Sequence, residues 1–148
     1  MRKPREIAIR CLQSHERSKD YIETILQREF ARTPIAPNDR SLIQELVYGC
    51  VRWKRLLDWL IDRKTDARPQ TPALRTLLQL GLYQLFWLDR IPDHAAVHET
   101  VELAKEFGFG SQSGFINAIL RGYLREKSQT QELLRFLRET QPGVALSH

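Results

Sequence analysis

His94 and His98 stand four residues apart, a spacing that puts two imidazoles on one helix face, where a zinc ion could be held. A third ligand is lacking. His15 and His148 lie far away in sequence, with no Cys or His pair near them, and Glu99 and Glu102 read as solvated carboxylates on an amphipathic helix. His94 is therefore expected near a helix start, and His98 in local packing or capping. Cys11 and Cys50 sit among apolar residues with no second Cys or His at metal-ligand spacing, so both are expected as buried free thiols. Gly108 and Gly110 flank Phe109 without a preceding strand, so they suit a helix stop and a turn rather than a phosphate-binding loop. No nucleophile-elbow or P-loop pattern occurs. No catalytic residue, metal ligand or cofactor site is expected in this chain.

The basic residues carry the stronger signal. Of 23 basic side chains only six are Lys, and the net charge is +5. An excess of Arg favours planar, two-pronged contacts to phosphate. Arg2, Lys3, Arg5 and Arg10 crowd the first ten positions against a single acid, Glu6. Arg52, Lys54 and Arg55 follow one another closely, Arg75 lies near a helix start, and Arg121 and Arg125 are four apart on one helix face. Such clusters are the electrostatic footprint of phosphate contacts to RNA. Asp58, Asp62 and Asp66 can offset part of the middle cluster. Trp53, Trp59, Trp87 and Tyr83 recur at helical spacing and are expected in the core rather than as base-stacking platforms.

The elements that must position these residues are helices throughout. The 148 residues suit one domain with a real core, 42% of them hydrophobic and 28% charged. The stretch MRKPREIAIRCLQ lacks the apolar run of a secretory signal, no stretch approaches the roughly 20 apolar residues of a membrane span, and reduced thiols suit the cytoplasm. Pro4 opens helix one, with Ile7, Ala8, Cys11 and Leu12 inward. Asp20 is expected to cap helix two, before the stripe Tyr21, Ile22, Ile25, Leu26 and Phe30. Pro34 and Pro37 interrupt. Asn38 is then expected to cap one long third helix whose apolar face runs from Leu42 to Ile61, the centre of the bundle. Thr71-Pro72 starts helix four, where Gly81 costs about 1 kcal/mol relative to Ala and points to a close helix crossing. Asp93 is expected to cap helix five, which Gly108 ends. Helix six starts at Ser111 or Ser113 and includes Asn117, whose amide is expected to link helices five and six. A last helix runs from about Thr130 to Glu139. The expected fold is an all-α compact bundle of about seven helices over residues 1–140, with 141–148 opening a linker.

Four stretches bear a more specific likeness. DRSLIQELVYGCVRWKRLLDWLI (Asp39–Ile61), ALRTLLQLGLYQLFWL (Ala73–Leu88), IPDHAAVHETVELAK (Ile91–Lys105) and GFINAILRGYLR (Gly114–Arg125) resemble, in order and spacing, the NusB-like N-terminal domain of the RsmB (Sun/Fmu) family of ribosomal RNA small-subunit cytosine-C5 methyltransferases. The resemblance implies an all-helical domain that helps dock ribosomal RNA and is joined by a linker to a Rossmann-like catalytic domain. That domain would hold S-adenosylmethionine and the reacting cysteines. Neither Cys11 nor Cys50 matches those cysteines, no S-adenosylmethionine motif can be carried over, and the tail Leu146-Ser147-His148 is similar to the family's junction. By this likeness the chain is inactive alone, and its partners are ribosomal RNA and its own methyltransferase domain. Two other readings stay open: a stand-alone antitermination factor like NusB, binding RNA and a ribosomal protein, and a purely structural domain that orients the catalytic half.

Overall fold

The computed structural model describes residues 4–140. The expected linker at 141–148 lies outside the described residues. Among them the chain forms α1 (Pro4–Ser18), α2 (Ile22–Arg32), α3 (Pro37–Arg52), α4 (Lys54–Thr65), α5 (Pro72–Trp87), α6 (Asp93–Glu106), a 3-10 turn at Gly110–Gln112, α7 (Ser113–Arg125) and α8 (Lys127–Thr140). The all-α expectation holds, with eight helices rather than about seven. The additional helix arises at Trp53, where the expected long third helix turns a corner.

Trp53 leaves the helical region (φ −102°, ψ 19°) and is at once the C-cap of α3 and the N-cap of α4. Its N–H still donates to the Gly49 carbonyl at 3.0 Å, and its carbonyl accepts from the Leu57 N–H at 2.9 Å, so the corner loses neither bond. The indole lies 5.7 Å from that of Trp87, and the Arg138 guanidinium covers both rings at 5.8 and 5.7 Å. The apolar stripe continues through the corner from Val47 and Cys50 to Leu56 and Leu57, all buried. Periodicity therefore carries no trace of the change in direction.

The centre of the bundle is α5, not the segment from Asn38 to Ile61. Every residue from Thr76 to Phe86 is buried, and α5 packs against α1, α3, α4, α6 and α7. A helix that is apolar around its whole circumference belongs inside, and each fully buried Leu there contributes about 1.5–3 kcal/mol. Two glycines let the helices approach. A Cβ at Gly81 would meet the Leu120 methyls at 3.0 and 3.1 Å and Thr100 Cγ2 at 3.2 Å, so the close crossing expected there is made by α6 and α7. At Gly49 on α3 a Cβ would fall 2.0 Å from Tyr83 Cζ, inside the phenol ring's own space.

Most polar groups this centre buries are bonded, as burial demands, the exception being Trp87 Nε1 at the end of α5, which has no hydrogen-bond partner among the described residues. Gln84, fully enclosed, accepts from Arg5 Nε at 2.7 Å and donates to the Leu80 carbonyl at 3.2 Å. Thr76 Oγ1 donates to the Pro72 carbonyl at 2.8 Å. Tyr123, also enclosed, donates to the Leu60 carbonyl at 2.7 Å, and burial pushes its phenol up to about 12.

Three expected caps differ. The N-cap of α2 is Tyr21, with no side-chain bond. Asp20 instead accepts from Arg28 at 2.7 Å through its carboxylate, while its carbonyl lies 2.9 Å from His15 Nδ1. Pro37 starts α3 behind Ala36, one residue ahead of Asn38. Asp93 is the first residue of α6 rather than its cap, and its carboxylate accepts from Lys127 at 2.7 Å, tying α6 to α8. Thr71 does cap α5, accepting from the Leu74 N–H at 3.4 Å, and Gly108 takes the left-handed conformation (φ 87°) just after α6. Asn117 does not bridge α6 and α7. It is half-exposed and accepts from Arg121 Nε at 3.1 Å, one turn along the same helix.

Two substitutions test this centre. Gly49→Ala should lower unfolding stability by about 1–3 kcal/mol despite the better helix propensity of Ala, because the Tyr83 ring must move; an unchanged urea midpoint would show that the ring swings clear. Arg5→Ala should cost about 1–3 kcal/mol by stranding the Gln84 carbonyl oxygen. Adding Gln84→Leu should recover much of that loss, and a double variant no more stable than Arg5→Ala would refute the account.

Candidate nucleic-acid interface

Of the ten basic residues singled out in the sequence, Arg2 and Lys3 lie outside the described residues, and Arg55 is exposed in the first turn of α4. The other seven divide by what they touch. Arg5 is half-buried on α1 and bonded to Gln84; burial lowers its pKa, and the charge of Glu99 opposes that shift. Lys54 at the start of α4 donates to both carboxylate oxygens of Glu16 on α1, at 3.1 and 3.2 Å. Burial raises the Glu16 carboxyl, but Lys54 and Lys19 outweigh it and hold the group below its ordinary range. Arg75 reaches from α5 to Asp58 and Asp62 on α4, at 3.0 and 2.8 Å, and to Gln70 at 2.9 Å. Partial burial lowers its pKa, and the bonds to Asp62 and Asp58 more than reverse this. These three cations fasten helices to one another.

Arg10, Arg52, Arg121 and Arg125 face outward. Arg10 pairs with Glu6 one turn earlier at 3.2 Å and lies 5.3 Å over the Phe107 ring. Arg52 covers the outer face of Trp53 at 5.3 Å. Arg121 is held by Asn117, and Arg125 has no acidic partner among the described residues. Trp53, Trp59 and Trp87 are half-buried against the core and Tyr83 is buried. The Tyr83 and Trp87 rings are stacked at 5.7 Å, so this group is core and cation-covered rim, not an open stacking platform.

Arg10 is also where the sequence reading stopped short. It lines a cleft of about 700 Å³ between α1 and α2, together with Arg17, Arg28 and Arg32. Positions 10, 14 and 17 on α1 and 25, 28, 29 and 32 on α2 follow helical spacing, so two facing stripes make the walls. The signal was present in the intervals between those arginines on consecutive helices, yet no local cluster marks it. Arg28 is oriented by Asp20 at 2.7 Å, Arg32 bonds Glu29, and Arg17 has no acidic partner among the described residues. The exposed Arg28–Asp20 pair is worth about 0–1 kcal/mol, so that guanidinium can exchange partners cheaply, whereas Arg32 is tied to a buried carboxylate.

Acid–base or nucleophilic chemistry has little to work with. Burial, reinforced by Glu29, pushes the Cys11 thiol up to about 12 against the opposing charge of Arg32, and burial raises the Cys50 thiol further. Both thiols are free and buried, hence protonated and poor nucleophiles. His94 and His98 are exposed, and no group of three His, Cys, Asp or Glu among the described residues could hold a metal ion. What the arrangement can do is bind anions through arginine.

The family described as NusB matches residues 2–125. The chain is 41% identical over 133 residues to a protein of Synechocystis sp. named "Probable ribosomal RNA small subunit methyltransferase B", covering 88% of this chain and 30% of that protein. A Bacillus subtilis protein of the same name is 36% identical over 124 residues, 82% of this chain and 28% of its own length. The ribosomal RNA small subunit methyltransferase B of Escherichia coli is 43% identical over 98 residues, 64% of this chain and 22% of its own. The chain thus spans less than a third of the length of these curated relatives. With the family match running from α1 to the end of α7 on an all-helical bundle, the chain belongs to the NusB family.

Proposed function

We propose that this chain is the RNA-docking accessory domain of a ribosomal RNA small-subunit cytosine-C5 methyltransferase. In this reading the chain does no catalysis itself, and S-adenosylmethionine and the reacting cysteine belong to a methyltransferase domain outside these 148 residues. The observation that carries the reading is the 41% identity to a far longer relative named for ribosomal RNA small-subunit methylation, over 88% of this chain. The two protonated, enclosed thiols are consistent with it. Arg2, Lys3, Arg10, Arg52, Arg121 and Arg125 supply phosphate contacts, while Arg5, Lys54 and Arg75 hold the helices that carry them. The helical unit of 1–140, the linker from 141 and a cytoplasmic setting complete the proposal. No helix among the described residues is long and apolar enough to cross a membrane.

The test is binding of the chain to a small-subunit ribosomal RNA fragment across a salt series. Affinity should fall with a log–log slope of about 0.7–0.9 per phosphate neutralised. Replacing Arg2, Lys3 and Arg10 with Gln should reduce that slope by about 2. No measurable affinity at low salt would sink the docking role, and methyl transfer by the chain alone would overturn the assignment of catalysis elsewhere.

A further inference from the structure

We propose that the cleft between α1 and α2 is a built site for one unpaired nucleotide of the bound RNA, its phosphates on the arginines and its base on the apolar floor. This deepens the RNA-docking reading and rests on it. The walls and floor differ in chemistry. Arg10 and Arg17 stand on one wall and Arg28 and Arg32 on the other, over a floor that includes Cys11 and Ile25, both nearly inaccessible. Guanidinium forks match phosphate oxygens two at a time. Cys11, protonated, acts there as a small apolar surface.

Size argues for more than a grazing phosphate contact. About 700 Å³ lies within the range of sites that enclose small organic ligands, room for a nucleoside and its flanking phosphates. The arginines are already oriented: Arg10 lies over Phe107, and Arg28 is held by Asp20, itself joined to α1 through its carbonyl and His15. The carboxylate in the wall, Glu29, is bonded by Arg32 and so is not left facing a phosphate as a bare charge. Gln13 brings a side-chain amide with no internal partner among the described residues, a donor and acceptor for a base edge. Base-paired RNA keeps its bases stacked inside, so a slot of this kind selects single strands and loops.

The experiment compares wild type with Arg17→Gln/Arg28→Gln and with Arg17→Gln alone, using a single-stranded oligoribonucleotide and a duplex of the same length. Arg17 makes no ion pair among the described residues, so its replacement should leave folding untouched, and a matching urea midpoint checks this. The double variant should bind the single strand about tenfold more weakly, with a salt slope lower by about 1.4, two phosphates at single-strand value. Duplex binding should change less than threefold. Arg121→Gln/Arg125→Gln, on α7 and not among the residues that line this cleft, should leave the preference for single strands intact. If wild type binds RNA but the Arg17 and Arg28 variants keep its single-strand affinity and slope, the cleft proposal fails and the docking role stands. Equal losses on single strand and duplex overturn the nucleotide slot. If wild type binds neither RNA at low salt, the docking role itself fails.

Discussion

The fold depends on enclosing α5. A helix without a polar face has no stable position at a surface, so five other helices must close around it, and their approach is set by what α5 presents. Where the backbone must come near, a glycine stands on α5 itself at Gly81 or on the neighbour at Gly49, where the Tyr83 ring takes the space of a side chain. Where α5 buries a side-chain amide, a partner is supplied: Arg5 of α1 for Gln84, and Asp58 of α4 for Gln79 at 2.7 Å. Losing any one of these leaves either a clash or an unsatisfied group in a close-packed interior, and both are costly.

That constraint also sorts the arginines. Net charge treats all of them alike, yet their neighbours make them chemically different. Arg75 is part of the α4–α5 joint, its charge offset by two aspartates and its position fixed by three bonds. Arg138 closes the aromatic corner at Trp53 and Trp87. Arg17 and Arg125 lie on outward faces and form no ion pair among the described residues. A phosphate meeting the second kind gains a partner without breaking one, whereas at the first kind it must compete with bonds that hold two helices together. The basic surface available to a polyanion is therefore smaller than the sequence count, and more localised.

Much of the fold was legible in the sequence because it is written in local terms. Apolar periodicity located each buried face, Thr71-Pro72 marked the start of α5, Gly108 marked the end of α6, and Gly81 announced a helix crossing. What was not legible depends on partners distant in sequence. Nothing near Trp53 says that Trp87 and Arg138 will hold its ring at a corner. Nothing near Asp20 or Asp93 says that Arg28 or Lys127 will outbid a helix end for the carboxylate. Asn117 looked like a buried link because it stands between two isoleucines, but the helix turns it half outward toward Arg121. The same limit hid the cleft. Its arginines belong to two helices, and only the turn between α1 and α2, with Lys19 in the left-handed region (φ 61°), brings the stripes face to face.

α1 joins these two levels. Its inner face, Ile7, Ala8, Cys11 and Leu12, is buried against the bundle, and Arg5 bonds the central helix. Its outer face presents Arg10 and Arg17 to the cleft. Cys11 belongs to both, lining the cleft floor from a position in the core. The geometry of the proposed nucleotide slot is thus fixed by the same contacts that enclose α5, since α1 packs against α2, α3, α5 and α6. Four long, flexible side chains would ordinarily lose rotamer freedom on gripping a ligand, at about 2 kcal/mol each in the limit. A wall held by the core, with Arg10 resting on Phe107 and Arg28 on Asp20, has already met part of that cost in the free protein. Pre-organisation of this kind separates a site from a merely basic surface, and here it follows from how the first helix is anchored.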